Sequence, residues 1–138
     1  VFEVQHRVQF YETDLMGIVH HSNYLRFCEE ARVAWAHAQA LLDYQTPGSA
    51  HTLAVLGTQV RHLKPLKFGD VVRIQVQAQR KGIRIIFEYR LLRGDVLVAE
   101  ARTEHAALNT ELKPIKLPLD MQTILEKETW IETWLLNL

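Results

Sequence analysis

The chain is poor in cysteine, and that scarcity sets the first bound. Cys28 stands alone, so a disulfide framework is excluded and a reducing cytoplasm is the expected setting. A charge excess is missing too. With 16 basic and 16 acidic residues the formal net charge is zero, and the positive field that a nucleic-acid partner requires is absent. No apolar run approaches the roughly 20 residues of a membrane span, and no signal-peptide pattern opens the sequence. Internal repeats, linkers and low-complexity stretches are lacking. The 7 histidines fall in no H-E-x-x-H or cysteine-rich spacing, so no metal site is expected. Ser22 beside His21 suggests a serine hydrolase only until the missing G-x-S-x-G elbow is noted.

What is present is an ordinary globular composition, 48% hydrophobic and 23% charged over 138 residues. A chain of that length buries roughly two-thirds of its unfolded surface and reads as a single domain. Residues 2–10 alternate, Phe2, Val4, His6, Val8 and Phe10 against polar neighbours, which predicts a half-buried strand. Over 23–42 the period changes. Tyr24, Phe27, Cys28, Ala31, Trp35, Ala38 and Leu41 recur every three or four residues, predicting a long helix with Ser22 or Asn23 as its cap.

Residues 43–52, with Pro47, Gly48 and Ser49, read as a loop. Strand patterns follow over 53–63, 70–80, 83–92 and 95–109. Turns at Lys81-Gly82 and Arg93-Gly94-Asp95 predict an antiparallel meander of the last three. The tail, 119–138, has apolar residues at helical spacing and predicts a second helix. The fold class expected is α+β, one long helix burying its apolar stripe against one antiparallel sheet. The far face of that sheet is expected to be covered by a second copy of the chain.

Asp14 is the chemically informative residue. It lies in a short glycine-containing loop just before the long helix, where unpaired N–H groups and the positive end of the dipole gather. Read alone, it is a carboxylate stabilising the helix start by about 0.3–1 kcal/mol. On pattern alone that reading is favoured; the other is a base placed beside an oxyanion donor, as ester or thioester cleavage requires.

Two motifs decide between these readings. Thr13-Asp14-x-x-Gly17-x-Val19-x-His21-x-Asn23-Tyr24, followed by Glu29, Ala31 and Arg32, and then residues 60–70 (Val60-Arg61-His62-Leu63-Lys64-Pro65-Leu66-Lys67-Phe68-Gly69-Asp70), resemble the hotdog-fold acyl-CoA thioesterases of the 4-hydroxybenzoyl-CoA thioesterase and YbgC-like branch. The resemblance runs to about Asn109 and leaves out the C-terminal tail. It implies a hotdog fold, an antiparallel sheet wrapped around one long central helix, assembled as a homodimer or homotetramer.

It also implies an acyl-CoA substrate, or an acyl-carrier-protein thioester, with no separate cofactor. Asp14 takes the catalytic position, as base or nucleophile. The His21 backbone N–H takes that of the donor to the thioester oxygen, while its imidazole orients the carboxylate or the water. Gly17, Val19 and Tyr24 are implied to contact substrate. Phe10 departs from the tyrosine many members carry before the carboxylate. Lys64, Arg80, Lys81 and Arg84 are candidates for the coenzyme A phosphates, the alternative being an ordinary solvated face. Glu29 is a second helix carboxylate, otherwise paired with Arg32. A non-catalytic acyl-CoA sensor and a hotdog hydratase or dehydratase are the competing functions.

Overall fold

The computed structural model describes residues 1–46 and 53–138; Pro47, Gly48 and Ser49 of the expected loop lie outside them. The elements are β1 (Phe2–Arg7), α1 (Ser22–Ala38), β2 (Leu53–His62), β3 (Val71–Lys81), β4 (Arg84–Arg93), β5 (Val96–Leu108), β6 (Pro114–Ile115) and α2 (Leu119–Lys127). The sheet runs in the order β1-β3-β4-β5-β2 with β6 against β5, and all its pairs are antiparallel. The β3-β4-β5 meander is present, closed by Gly82 and Gly94 at positive φ. This is the hotdog arrangement, a long helix held in the curve of a sheet.

Strand alternation divides the residues between two faces. Val72, Ile74 and Val76 of β3 and Ile85, Phe87, Tyr89 and Leu91 of β4 face inward and are almost fully buried. The stripe of α1, Tyr24, Phe27, Cys28, Ala31 and Trp35, is buried with them in one core cluster. Trp35 meets Phe87 edge-on with ring centroids 5.4 Å apart. Each such side chain contributes about 1.5–3 kcal/mol by leaving water.

Three boundaries differ from the sequence reading. The first strand stops at Arg7, and Phe10–Glu12 forms a 3-10 turn that leaves Phe10 and Tyr11 exposed; neither lies on a strand face. α1 stops at Ala38 rather than Leu42. Ala40 takes φ 61, its N–H reaches the His37 carbonyl, and the Leu41 N–H reaches back to that of Ala36 at 2.9 Å. That is a Schellman stop, closed by the burial of Leu41. The cap position falls to His21, without a side-chain cap. Ser22 and Asn23 lie inside the helix because Asn23 turns inward to donate to the Glu12 carbonyl at 2.9 Å.

The far side of the sheet carries polar side chains as well as Ile86 and Leu92, and the chain itself covers part of it. Gln77, Glu88 and Glu100 are buried there under residues 128–138, which are not helical beyond α2. Glu100 accepts the N–H groups of Leu136 and Asn137 at 3.0 and 2.6 Å. The Gln77 amide exchanges two bonds with the Ile131 backbone. The Arg90 guanidinium lies 5.8 Å from the Trp134 ring. An intramolecular strap thus covers part of the face expected to meet a second copy. Among the described residues no helix is long and apolar enough to cross a membrane.

Candidate active site

Asp14 sits in a tight loop stitched at both ends. Its N–H bonds the Ile18 carbonyl at 2.9 Å, and its carbonyl accepts the Gly17 N–H at 3.0 Å. Gly17 has φ +78, a conformation that favours glycine. Bridges join Thr13 to Val19 and Ile18 to Lys67, so the loop is tied to the segment preceding β3. The Asp14 Oδ1 atom accepts the Met16 N–H at 2.8 Å. Among the described residues Oδ2 has no partner. One oxygen therefore fixes the carboxylate and the other stays available.

Behind this loop lies a network that sequence reasoning missed. Glu12 is buried. Its carboxylate accepts the Gln9 N–H at 2.7 Å and bonds the His6 Nε2 at 2.8 Å. The other nitrogen of His6 meets the Glu30 carboxylate at 3.1 Å. The Glu12 carbonyl accepts both the His20 N–H at 2.9 Å and the Asn23 side chain at 2.9 Å. Glu12 thereby joins β1, the Asp14 loop and the start of α1.

At the helix start most N–H groups are taken. Ser22 N–H donates to His20 Nδ1 at 3.2 Å, Asn23 N–H to the His20 carbonyl at 3.0 Å and Tyr24 N–H to the His21 carbonyl at 3.2 Å. Because Nδ1 accepts, the proton of a neutral His20 sits on Nε2. The His21 N–H meets no acceptor among the described residues.

Asp14, Val19, His21, Tyr24 and Lys64 line one open cleft of about 430 Å³. His62 joins them in its wall, with its ring centroid 4.6 Å from that of Tyr24, nearly perpendicular. Burial pushes the His62 imidazole below its ordinary range, and the neighbouring His21 pushes the same way. The Tyr24 phenol is raised by burial, against the opposing effects of a backbone bond at Leu66 and the Arg93 charge. The signal for His62 lay in the second motif, where it faces inward on β2 opposite Ala99.

Gly17 shapes the Asp14 loop without forming a wall. Arg80, Lys81 and Arg84 are not brought to the cleft within one chain. They occupy the β3–β4 turn, the length of β3 away from the residues that anchor the Asp14 loop. Arg80 bonds the Gly82 carbonyl and Gln122, and Arg84 pairs with Glu104 at 3.1 Å. The i,i+3 pair of Glu29 with Arg32 does not form; the Arg32 Nη1 donates instead to the Tyr89 hydroxyl at 3.1 Å. No cluster of three or more metal-ligating side chains occurs among the described residues.

A helix cupped by an antiparallel sheet, with an anchored aspartate at the helix start, defines a class, and comparison with known proteins identifies it. The family profile described as the Thioesterase-like superfamily matches residues 8–125. The chain is 36% identical over 124 residues to a 1,4-dihydroxy-2-naphthoyl-CoA hydrolase of Thermosynechococcus vestitus, covering 85% of this chain and 84% of that one. It is 27% identical over 123 residues to the acyl-CoA thioesterase YbgC of Haemophilus influenzae, covering 84% and 88%. A solved 1,4-dihydroxy-2-naphthoyl-CoA thioesterase from Synechocystis superposes with a TM-score of 0.82 at 23% identity over 91% of this chain and 96% of that one, a likeness of fold. The chain belongs to the thioesterase-like superfamily and is a hotdog-fold thioester hydrolase.

Proposed function

We propose that the protein hydrolyses acyl-CoA thioesters to a free carboxylic acid and coenzyme A, with Asp14 as the catalytic carboxylate. The observation that carries this reading is the pairing of a carboxylate oxygen left available in the cleft with an unclaimed backbone donor, the His21 N–H, at the start of α1. Asp14 takes a proton from water as its oxygen adds to the thioester carbonyl. The His21 N–H stabilises the negative charge that develops on the carbonyl oxygen. Collapse of the adduct breaks the C–S bond, and the sulfur leaves as the thiol once protonated.

In the nucleophilic alternative Asp14 itself adds, giving an acyl-aspartyl anhydride that water then opens. Hydroxylamine trapping separates the two routes. The His21 imidazole orients the water, while Val19, Tyr24 and Lys64 receive the substrate. The names of the relatives support coenzyme A as the carrier; an acyl-carrier protein is the second carrier in this reading.

The working unit in this proposal is a homodimer formed along β2. That strand is an edge of the sheet, with Val55 and Leu56 exposed on it, and a second copy would extend the sheet there. A homotetramer would need a further face, since the strap covers part of the outside of the sheet. The buried, unpaired Cys28 fits a reducing cytoplasm. The test is thiol release from short, medium, long and aromatic acyl-CoAs by the parent and by Asp14→Asn. A fall in kcat of several orders of magnitude with the circular dichroism spectrum unchanged is expected. Undiminished release in the variant would overturn the assignment.

A further inference from the structure

A second cavity, of about 190 Å³, lies between the C-terminal half of α1, α2 and the inner face of β4. Its lining shares no residue with the Asp14 cleft. Leu41, Ile85, Phe87 and Met121 make its walls apolar, and Arg32 is the one charged residue in them.

Arg32 is short of acceptors. Among the described residues it forms no ion pair, and its Nη1 bond to the Tyr89 hydroxyl occupies a single donor of a guanidinium that has five. Its charge is felt by the buried groups around it. It opposes the rise of the Cys28 and Tyr89 pKa values and adds to the fall of that of His105. Trp35 stands in the same wall, and its indole N–H is buried without an acceptor. A half-buried cation without a counter-ion and an orphaned donor both cost stability in an apolar setting. An anionic group with two acceptor oxygens answers the first, since a guanidinium binds a carboxylate through paired N–H groups. Cavities of about 150 Å³ with apolar walls accept a benzene ring, so the space suits an aromatic ring or a short alkyl chain.

We propose that this cavity is a second ligand site, for a small aromatic or short-chain monocarboxylate held by Arg32. Benzoate is the probe, with benzyl alcohol as its uncharged counterpart. Titrating benzoate into the parent protein should give a saturable change in tryptophan fluorescence that Trp35→Phe abolishes, while calorimetry shows that Trp35→Phe still binds. Arg32→Gln should weaken benzoate at least tenfold, Arg32→Lys should restore most of the loss, and benzyl alcohol should bind parent and Arg32→Gln alike.

Circular dichroism establishes that each variant is folded; were Arg32→Gln to unfold, the Arg32→Lys and benzyl alcohol comparisons still decide the matter. The absence of saturable benzoate binding to the parent in the millimolar range would overturn the proposal, as would equal affinity for acid and alcohol. None of these readouts involves turnover, so the outcome is separate from that of the Asp14 experiment.

Discussion

Replacing Glu12 with alanine removes the carboxylate that joins the first strand to the loop carrying Asp14. Two bonds go at once, the one from the Gln9 N–H at 2.7 Å and the one with His6 Nε2 at 2.8 Å. The first caps the 3-10 turn that sets where the loop begins. The second holds a ring that also spans to Glu30. Hydrogen bonds to charged groups contribute about 1.5–3 kcal/mol each. Water enters a site on the edge of the fold and recovers part of that, so the expected loss is roughly 3 kcal/mol, or on the order of 10 °C in Tm.

Glu12→Gln keeps an oxygen for the Gln9 N–H and loses the charge opposite His6. It should fall between parent and alanine variant, nearer the parent. Urea denaturation followed by circular dichroism measures the stability term, and thiol release from an acyl-CoA measures the consequence for the site. Glu12 does not line the cleft, so it acts through the position of the Asp14 loop. The alanine variant should lose about tenfold in kcat, for a rise in barrier of about 1.4 kcal/mol, with KM changed less, and the glutamine variant should recover most of the rate. An alanine variant as stable and as active as the parent would refute the reasoning.

Two further predictions follow from the core and the strap. Burial, assisted by the Arg32 charge, pushes the pKa of His105 down to about 4. The unfolded chain therefore binds a proton that the folded one refuses, and stability present above about pH 6.5 is lost as the pH falls toward 4; the urea midpoint should drop over that window, and less so in His105→Gln. Trp134→Ala removes an almost buried ring from the strap and should cost about 3 kcal/mol, with increased self-association by light scattering as Ile86 and Leu92 on the outer face open. A variant with an unchanged midpoint and unchanged scattering would show that the strap does not hold.

Periodicity made the frame readable, because it reports which side chains share a face. β3 and β4 bury alternate residues on the inner side, and α1 buries every third or fourth. The misses arose where tertiary partners decided. Phe10 continued the alternation of β1, yet Glu12 turns the chain there by capping the Gln9 N–H. Residues 128–138 carry tryptophans and leucines at helical spacing, but Glu100 and Gln77 need backbone partners, and a non-helical strap supplies them.

At the site, Asp14, Val19, His21, Tyr24 and Lys64 do converge on one cleft. The charges of Arg80, Lys81 and Arg84 marked a turn without telling which end of the strand it occupied. His62 stood inside the second motif, but its packing against Tyr24, far away in sequence, could not be read there.

Cys28 is fully buried in the core, and burial pushes its thiol up to about 12. The thiolate is the reactive form, so an alkylating reagent at neutral pH meets almost none of it while the fold is closed. With one cysteine in the chain, every alkylation event records an opening of the helix–sheet interior and nothing else. The protein thus carries its own clock for unfolding. Labelling rates against denaturant would give the free energy and the frequency of core opening without any added probe.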